Sequence, residues 1–296
     1  MARKLRNNFN IDLLRICYKQ PEGFFEFLAE TQPNSKIPRD GYYLFVVGDD
    51  DVESQKSVVC NVVADDGTEI GTLVANSYNS KYGQLCFLSL CNKSLYDAIS
   101  CDPNGNKGSM VHCLDFVIDD LGLQFVSVTE LHIAMDTNYN VPAKIIRYKH
   151  DCSHYDMIVN RKRVEGNKEK IRGYKEVCQS SRKRRENPTI YIEQKKEYAP
   201  QLCLYNKTIE IKEASGKQYV TDWNDFGNQT IYRSELRLRW DYIKEYFEGK
   251  GIHGYDIFLA ILRRDVLEQM FEHFSTRLIY FRNKHTDEVI SVHNIA

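Results

Sequence analysis

The feature of this sequence that most restricts its fold is the alternation of apolar and polar residues over several short stretches. Residues 189–193 (TIYIE) and 202–207 (LCLYNK) are separated by eight residues, and both contain β-branched or aromatic residues. Such alternation predicts β-strands, because successive side chains of a strand point to opposite faces. In the second strand the leucines share one face, and Cys203, Tyr205 and Lys207 share the other. The pattern predicts a sheet whose polar face borders a cleft.

Two further stretches follow the same design. Residues 130–136 (ELHIAMD) and 232–239 (YRSELRLR) place leucine, isoleucine and methionine on one face if they form strands. The opposite faces carry the ionisable residues Glu130, His132, Asp136, Arg233, Glu235, Arg237 and Arg239. Several ionisable groups on one face of a strand indicate a functional site. The alternative is an interaction protein in which these charges form salt bridges across a sheet.

The distribution of charge favours a nucleic-acid partner. Net charge over the 296 residues is only −1, but residues 144–185 contain 14 Lys and Arg against 5 Asp and Glu. A basic surface is what binding to a phosphate backbone requires, although a solvated helix face and loop are the alternative. The residues predicted to contact DNA are Arg182, Lys183, Arg184, Arg185, Arg233, Arg237 and Arg239.

Cysteine usage and hydropathy predict a cytoplasmic protein that makes no contact with a membrane. The nine cysteines include no Cys-x-x-Cys pair and none at zinc-finger spacing with histidines. An odd number of cysteines and the lack of a signal-peptide pattern favour a reducing compartment. No apolar run approaches the roughly 20 residues that a transmembrane helix needs.

Five short segments of the chain follow one another in a particular order. They are residues 10–15 with Asp12, then 130–136, 189–192, 204–207 and 232–238. The order resembles that of the trans-acting rolling-circle replication initiators of small plasmids and the related relaxases of integrative elements. Where that family has Arg and a first Asp in its double-Asp strand, this chain has Glu130 and His132. Residues 193–197 (EQKKE) replace the family's Gly-Ser-Arg and Ser-Asp pair.

The resemblance implies an α+β fold with a largely antiparallel central sheet, flanking helices and an HUH-like, replication-initiator-type catalytic core. We expect a catalytic domain over residues 1–245, with sheet-forming halves at 1–125 and 126–245, and a mainly helical segment over 246–296. Within that segment the apolar spacing predicts a single helix over 255–274. The resemblance also implies a homodimer and recruitment of a host helicase. Asp12 is expected either to approach the site or to lie at a sheet edge.

The resemblance further implies that the polar face cuts and rejoins one DNA strand. A tyrosine can retain the cut strand as a 5′-phosphotyrosine ester. Tyr205 is the first candidate for this nucleophile, with Lys207 to stabilise the phenolate. Tyr191 is the second candidate, because the acidic Glu193 on its face opposes phenolate formation. The predicted ligands of an Mg²⁺ or Mn²⁺ ion are Asp136, Glu235 and His132.

The predicted function is therefore sequence-specific, metal-dependent nicking and joining of one DNA strand to initiate rolling-circle replication of a plasmid or mobile element. The predicted DNA partner is the origin, in single-stranded or cruciform form. A mobilisation relaxase of an integrative element would use the same chemistry. A catalytically inactive relative would bind single-stranded DNA but form no covalent adduct. These alternatives stay open at the level of the sequence.

Overall fold

The computed structural model describes residues 6–48, 56–100, 109–165, 170–177 and 188–295. Within these residues the chain divides into two units. Unit 1 comprises Met1–Asp12, His132–Tyr242 and Arg264–Ala296, and unit 2 comprises Leu13–Leu131 and Ile243–Arg263, as far as these ranges are described. The predicted functional domains at 1–245 and 246–296 stay predictions.

The described part of the chain contains both helices and strands. The strands are β1 (Asn7–Lys19), β2 (Lys36–Pro38), β3 (Tyr42–Val47), β4 (Ser57–Ala64), β5 (Glu69–Ser80), β6 (Gly83–Leu90), β7 (Gln124–Thr137), β8 (Tyr155–Val159), β9 (Lys162–Arg163), β10 (Tyr174–Val177), β11 (Thr189–Glu193), β12 (Gln201–Asn206), β13 (Tyr232–Arg239), β14 (Ile279–Asn283) and β15 (Val289–Ser291). The helices are α1 (Phe24–Ala29), α2 (Asn92–Ser100), α3 (Ser109–Asp120), α4 (Val141–His150), α5 (Lys207–Glu210), α6 (Gln218–Asn224), α7 (Trp240–Glu248), α8 (Tyr255–Ile261) and α9 (Arg264–Leu278). None of these helices is long and apolar enough to cross a membrane.

Unit 2 contains a sheet with the strand order β7-β1-β6-β5-β4-β3-β2. Successive strands from β2 to β6 pair with antiparallel register. In β4 every second residue is buried, as expected of a sheet with one face against a core.

Unit 1 contains a sheet with the order β10-β11-β12-β13-β7-β1 and a second sheet with the order β15-β14-β8-β9. The leucines of β12 and β13 are buried on one face, where helix α9 packs against both strands. The opposite face is therefore left to the polar residues of these strands. The strand pairs whose register the structure gives are antiparallel. The predicted α+β class with a largely antiparallel sheet is therefore confirmed.

The segment between β12 and β13 is helical. Strand β12 ends at Asn206, whose side chain accepts a hydrogen bond of 3.0 Å from the backbone nitrogen of Ile209 and so caps α5. Helix α5 continues into a π-helical turn at Ile211–Ser215, and α6 follows. Lys207 therefore opens a helix instead of ending the strand, which corrects the predicted strand over 202–207.

The helix predicted over residues 255–274 is two helices. Helix α8 ends at Ile261, with Leu262 as its C-cap, and α9 begins at Arg264. Apolar spacing did not reveal this break because Leu262 keeps the 3.6-residue pattern running through the short turn.

Strand β10 can pair with the edge of β11 because the turn before it contains Gly173. The φ angle of Gly173 is +81°, and a Cβ at this position would lie 2.4 Å from the carbonyl oxygen of Glu193. Only glycine fits so close an approach with this backbone conformation. The resulting pairing places Lys175 directly opposite Tyr191.

Candidate active site

The polar face of β11, β12 and β13 carries the residues that the sequence singled out. Tyr191 lies opposite Cys203, and Cys203 lies opposite Glu235, so the three form one row across neighbouring strands. In the next row Tyr205 lies opposite Arg233. Antiparallel register thus brings two phenols, a carboxylate and a guanidinium to one face.

Glu235 also belongs to a group of possible metal ligands, the metal group, with Asp12 and His132. One ligand atom of each residue lies within 4.8 Å of those of the others. The Nδ1 atom of His132 is 3.2 Å from Oε1 of Glu235. Two carboxylates and one imidazole form a donor set that fits a hard divalent cation, and the nitrogen shifts the preference from Mg²⁺ towards Mn²⁺.

Glu235 is buried but ionised. Its Oε2 accepts a hydrogen bond of 3.0 Å from the Tyr205 hydroxyl, and its Oε1 accepts one of 2.8 Å from Nε of Arg237. Burial by itself would raise the pKa of Glu235, but the hydrogen bond with His132 and the charge of Arg237 outweigh burial and hold the pKa well below its ordinary value. The anionic carboxylate is the form that binds a cation.

Asp12 is ionised for a similar reason. Burial raises the pKa of this carboxyl, but the neighbouring charge of Arg233 more than offsets the effect and lowers the pKa overall. Arg233 donates from Nη1 to Oδ1 of Asp12 over 2.5 Å. The early aspartate of the first segment therefore lies at the site, and not at a sheet edge away from it.

Asp136, a predicted metal ligand, is bonded to Arg233 in the interior. Arg233 donates from Nε to Oδ1 of Asp136 over 2.7 Å and from Nη2 to Oδ2 over 2.8 Å. Asn224 donates to the same Oδ2 over 2.8 Å. The structure thus places Asp12, and not Asp136, beside His132 and Glu235. A metal-binding role for Asp136 stays a prediction.

The location of Arg233 corrects the expectation that it lies on a DNA-binding surface. Its side chain is 0% exposed, and its guanidinium is paired with the carboxylates of Asp136 and Asp12. A buried guanidinium with two carboxylate partners holds those carboxylates in place and does not reach a bound DNA strand.

Tyr205, the first candidate nucleophile, is half-buried, and its hydroxyl donates to the buried carboxylate of Glu235. Burial raises the pKa of this phenol well above its ordinary value, and the charge of Arg233 offsets only part of the rise. The Lys207 ammonium lies 5.9 Å from the centroid of the Tyr205 ring and 2.5 Å from Oε2 of Glu210. Burial lowers the pKa of Lys207, and the like charge of Arg233 adds to this effect. Lys207 is therefore a buried, paired lysine over the ring face.

Tyr191, the second candidate, is 40% exposed. Its neighbours across the sheet are Lys175 on one side and Cys203 on the other. Burial raises the pKa of Tyr191, as does its contact with Cys203, while the charge of Arg237 opposes the rise. The sequence ranks Tyr191 second because Glu193 follows it on the same face of its own strand. Its neighbour on the adjacent strand is Lys175.

A cavity of about 500 Å³ opens on this face. Its sheet wall carries Tyr191, Tyr205 and the metal group, together with Arg237. The facing wall comes from the helical segment after β12, including Lys207 and Lys217. Phenols, metal-ligand groups and cations therefore converge on one space that is open to solvent.

The other predicted DNA-binding residues have different positions. The Arg237 side chain is 43% exposed and lines the cavity, and Arg239 is exposed further along β13. Arg182, Lys183, Arg184 and Arg185 lie outside the described residues. Sequence reasoning missed Asn224, because nothing in the pattern of α6 signals that its amide bonds a carboxylate on β7.

Comparison of the chain with protein-family models gives no match, and comparison with curated proteins gives none. The fold is similar to the solved structure of a rolling circle replication initiator protein from Geobacillus stearothermophilus. The two chains share 13% sequence identity and superpose with a TM-score of 0.47, over 96% of this chain and 89% of the other. At this identity and TM-score the likeness does not by itself assign an activity.

Proposed function

We propose that this protein nicks and rejoins single-stranded DNA through a tyrosine nucleophile, as an initiator of rolling-circle replication. The observation that carries the proposal is the cavity, where an accessible phenol lies in the same space as the metal group and Arg237. These are the parts that phosphoryl transfer to a protein hydroxyl requires: a nucleophile, groups that neutralise the phosphate, and a place for it.

In the proposed reaction a tyrosine oxygen attacks the phosphorus of one DNA linkage. A bond forms between the phenolic oxygen and phosphorus, and the bond from phosphorus to the 3′-oxygen breaks. The phenol gives up its proton to solvent as it attacks, and the 3′-oxygen takes a proton from solvent and leaves as a hydroxyl. The 5′-phosphate stays on the tyrosine. Attack by that hydroxyl on the ester reverses the reaction and rejoins the strand without ATP.

Accessibility favours Tyr191 as the attacking residue. Its ring is 40% exposed at the cavity, and Arg237 supplies a nearby positive charge that opposes the rise in its pKa. The hydroxyl of Tyr205 instead donates to Glu235. We assign Tyr205 to positioning the Glu235 carboxylate, which reverses the order in which the sequence ranks the two tyrosines.

The remaining residues of the cavity have separate tasks in this proposal. Asp12, His132 and Glu235 would hold an Mg²⁺ or Mn²⁺ ion, which supplies charge neutralisation at the scissile phosphate. Arg237 contacts a non-bridging phosphate oxygen from the sheet wall. Arg233 holds Asp12 in place through their hydrogen bond and so acts on the site from the interior.

The test is incubation of the protein and Mn²⁺ with labelled single-stranded oligonucleotides from the DNA that surrounds its own gene. The products are resolved on a denaturing gel. We expect a covalent protein–DNA band with the wild type and with Tyr205→Phe, and none with Tyr191→Phe. Loss of the band only in Tyr205→Phe would identify Tyr205 as the nucleophile instead. Salt-sensitive binding with no adduct in any variant would indicate an inactive DNA-binding relative.

Recruitment of a helicase, dimer formation and the choice between initiator and relaxase are not specified by the cavity. They stay predictions from the resemblance. The adduct assay addresses the chemistry that initiators and relaxases have in common.

A further inference from the structure

The loop between β11 and β12, residues 194–200, presents an unusual tyrosine. Tyr198 is 64% exposed, the largest exposed fraction among the described large apolar and aromatic residues that protrude into solvent. Its φ angle is +60°, in the left-handed region that residues other than glycine, asparagine and aspartate rarely adopt. An exposed tyrosine alone is ordinary, but an exposed tyrosine on a strained backbone needs an explanation.

The backbone that carries Tyr198 is fixed. The next two residues, Ala199 and Pro200, are buried, and the Ala199 nitrogen donates to the Lys196 carbonyl over 3.2 Å. The exposed ring is thus carried by an anchored turn. A turn that is already ordered loses less entropy when a ligand binds to it.

Charged residues of both signs lie close to Tyr198. Lys195 and Lys196 precede it in the loop, Glu197 accepts a hydrogen bond from its hydroxyl, and the charge of Arg239 acts on the same hydroxyl. Arg239 and Arg237 occupy alternate positions of β13 and so share one face of the sheet. The loop begins directly after β11 and ends directly before β12, and these two strands bear Tyr191 and Tyr205. The face of β13 that lines the cavity at Arg237 therefore continues through Arg239 to Tyr198.

We infer that Tyr198 is a stacking platform for an unpaired base of the DNA strand that leaves the cavity. The inference rests on the proposed function, since it names a second contact of the same substrate. Base stacking on an aromatic ring tolerates any sequence, and nearby lysine and arginine residues hold the backbone of the same strand. The free-energy cost of the left-handed backbone is then offset by the free energy of base stacking when DNA binds.

The test measures binding of a labelled single-stranded oligonucleotide by fluorescence anisotropy in EDTA, so that no cleavage occurs. The variants are Tyr198→Gly, Tyr198→Phe and, as a matched control, Tyr78→Ala, which removes a tyrosine of unit 2 that is 58% exposed. Glycine suits the φ angle of this position, so Tyr198→Gly is expected to unfold at the same or a higher urea concentration than the wild type.

We expect Tyr198→Gly to weaken binding by about tenfold or more, Tyr198→Phe to bind like the wild type, and Tyr78→Ala to change nothing. An oligonucleotide series with one abasic position should identify one base whose removal weakens the wild type but not Tyr198→Gly. Unchanged affinity in Tyr198→Gly, or an equal loss in Tyr78→Ala, would overturn the stacking role and leave the proposed function standing. A wild type that binds no single-stranded DNA would overturn both.

Discussion

The buried pair of Arg233 and Asp136 makes a quantitative prediction about stability. Arg233 is 0% exposed and Asp136 1%, and their bidentate contact is 2.7 and 2.8 Å long. Removing one partner of a buried pair leaves an uncompensated charge, which costs about 3–5 kcal/mol. Methionine at position 233 keeps much of the volume but leaves Asp136 and Asp12 without their cation. We therefore expect Arg233→Met to lower the free energy of unfolding by about 3–5 kcal/mol.

Arg237→Met is the matched control, because Arg237 lies on the same strand and the same face. Its side chain is 43% exposed, and its described hydrogen bond goes to Glu235. Glu235 keeps its contacts with Tyr205 and His132 when Arg237 is removed, so this variant is expected to lose less than Arg233→Met, about 1–2 kcal/mol.

Urea unfolding followed by tryptophan fluorescence measures both variants. The two tryptophans, Trp223 and Trp240, lie in unit 1, so their signal reports on the unit that contains the site. Equal losses in Arg233→Met and Arg237→Met would refute the reasoning, because burial would then make no difference to the two guanidinium groups.

Three further predictions concern the metal group, the cysteines and the basic face. Asp12→Asn and His132→Ala should each weaken Mn²⁺ affinity in calorimetric titration by about tenfold or more, since each removes one ligand. Burial raises the pKa of the Cys86 thiol to about 12, whereas Cys152 is exposed. Iodoacetamide at pH 8 should therefore label Cys152 and spare Cys86 in peptide mapping. Arg239→Ala should reduce the slope of log affinity for DNA against log salt by about 1, if Arg239 contacts one phosphate.

Alternation along single strands was enough to predict which residues share the polar face. Strands β11, β12 and β13 lie where the pattern placed them, and Leu202, Leu204, Leu236 and Leu238 are buried on the opposite face. This works because the period of two is a local property of a strand. For Asp12 the sequence left open whether it approaches the site or lies at a sheet edge, and the structure places it beside His132 and Glu235.

Alternation could not predict which residues of that face are buried. Arg233 and Arg239 have the same position in the pattern, yet one is fully buried and the other exposed. The difference arises because Asp136 of β7 and Asp12 of β1 meet Arg233 in the interior, where Asn224 of α6 also bonds to Asp136. Their approach is set by tertiary packing, which no periodicity in a single strand encodes.

Lys207 shows a second limit of the same kind. The alternating pattern continues through it, but the side chain of Asn206 caps a helix and ends the strand one residue earlier. The side-chain oxygen of Asn206 accepts a hydrogen bond from the backbone of the next turn, and this local bond favours a helix over continuation of the strand. The lysine is consequently buried beside Glu210.

The ion pairs around the metal group predict that the chain folds without a metal ion. Asp12 is paired with Arg233, and Glu235 is paired with Arg237 and contacts His132. The charge of Glu235 still acts to raise the pKa of Asp12, but the charge of Arg233 has the larger, opposite effect. The protein in EDTA should therefore keep one cooperative urea transition, and Mn²⁺ at 100 times its dissociation constant should add about 2.7 kcal/mol to the free energy of unfolding. Loss of the transition on chelation would show that the ion, and not these pairs, holds the site together.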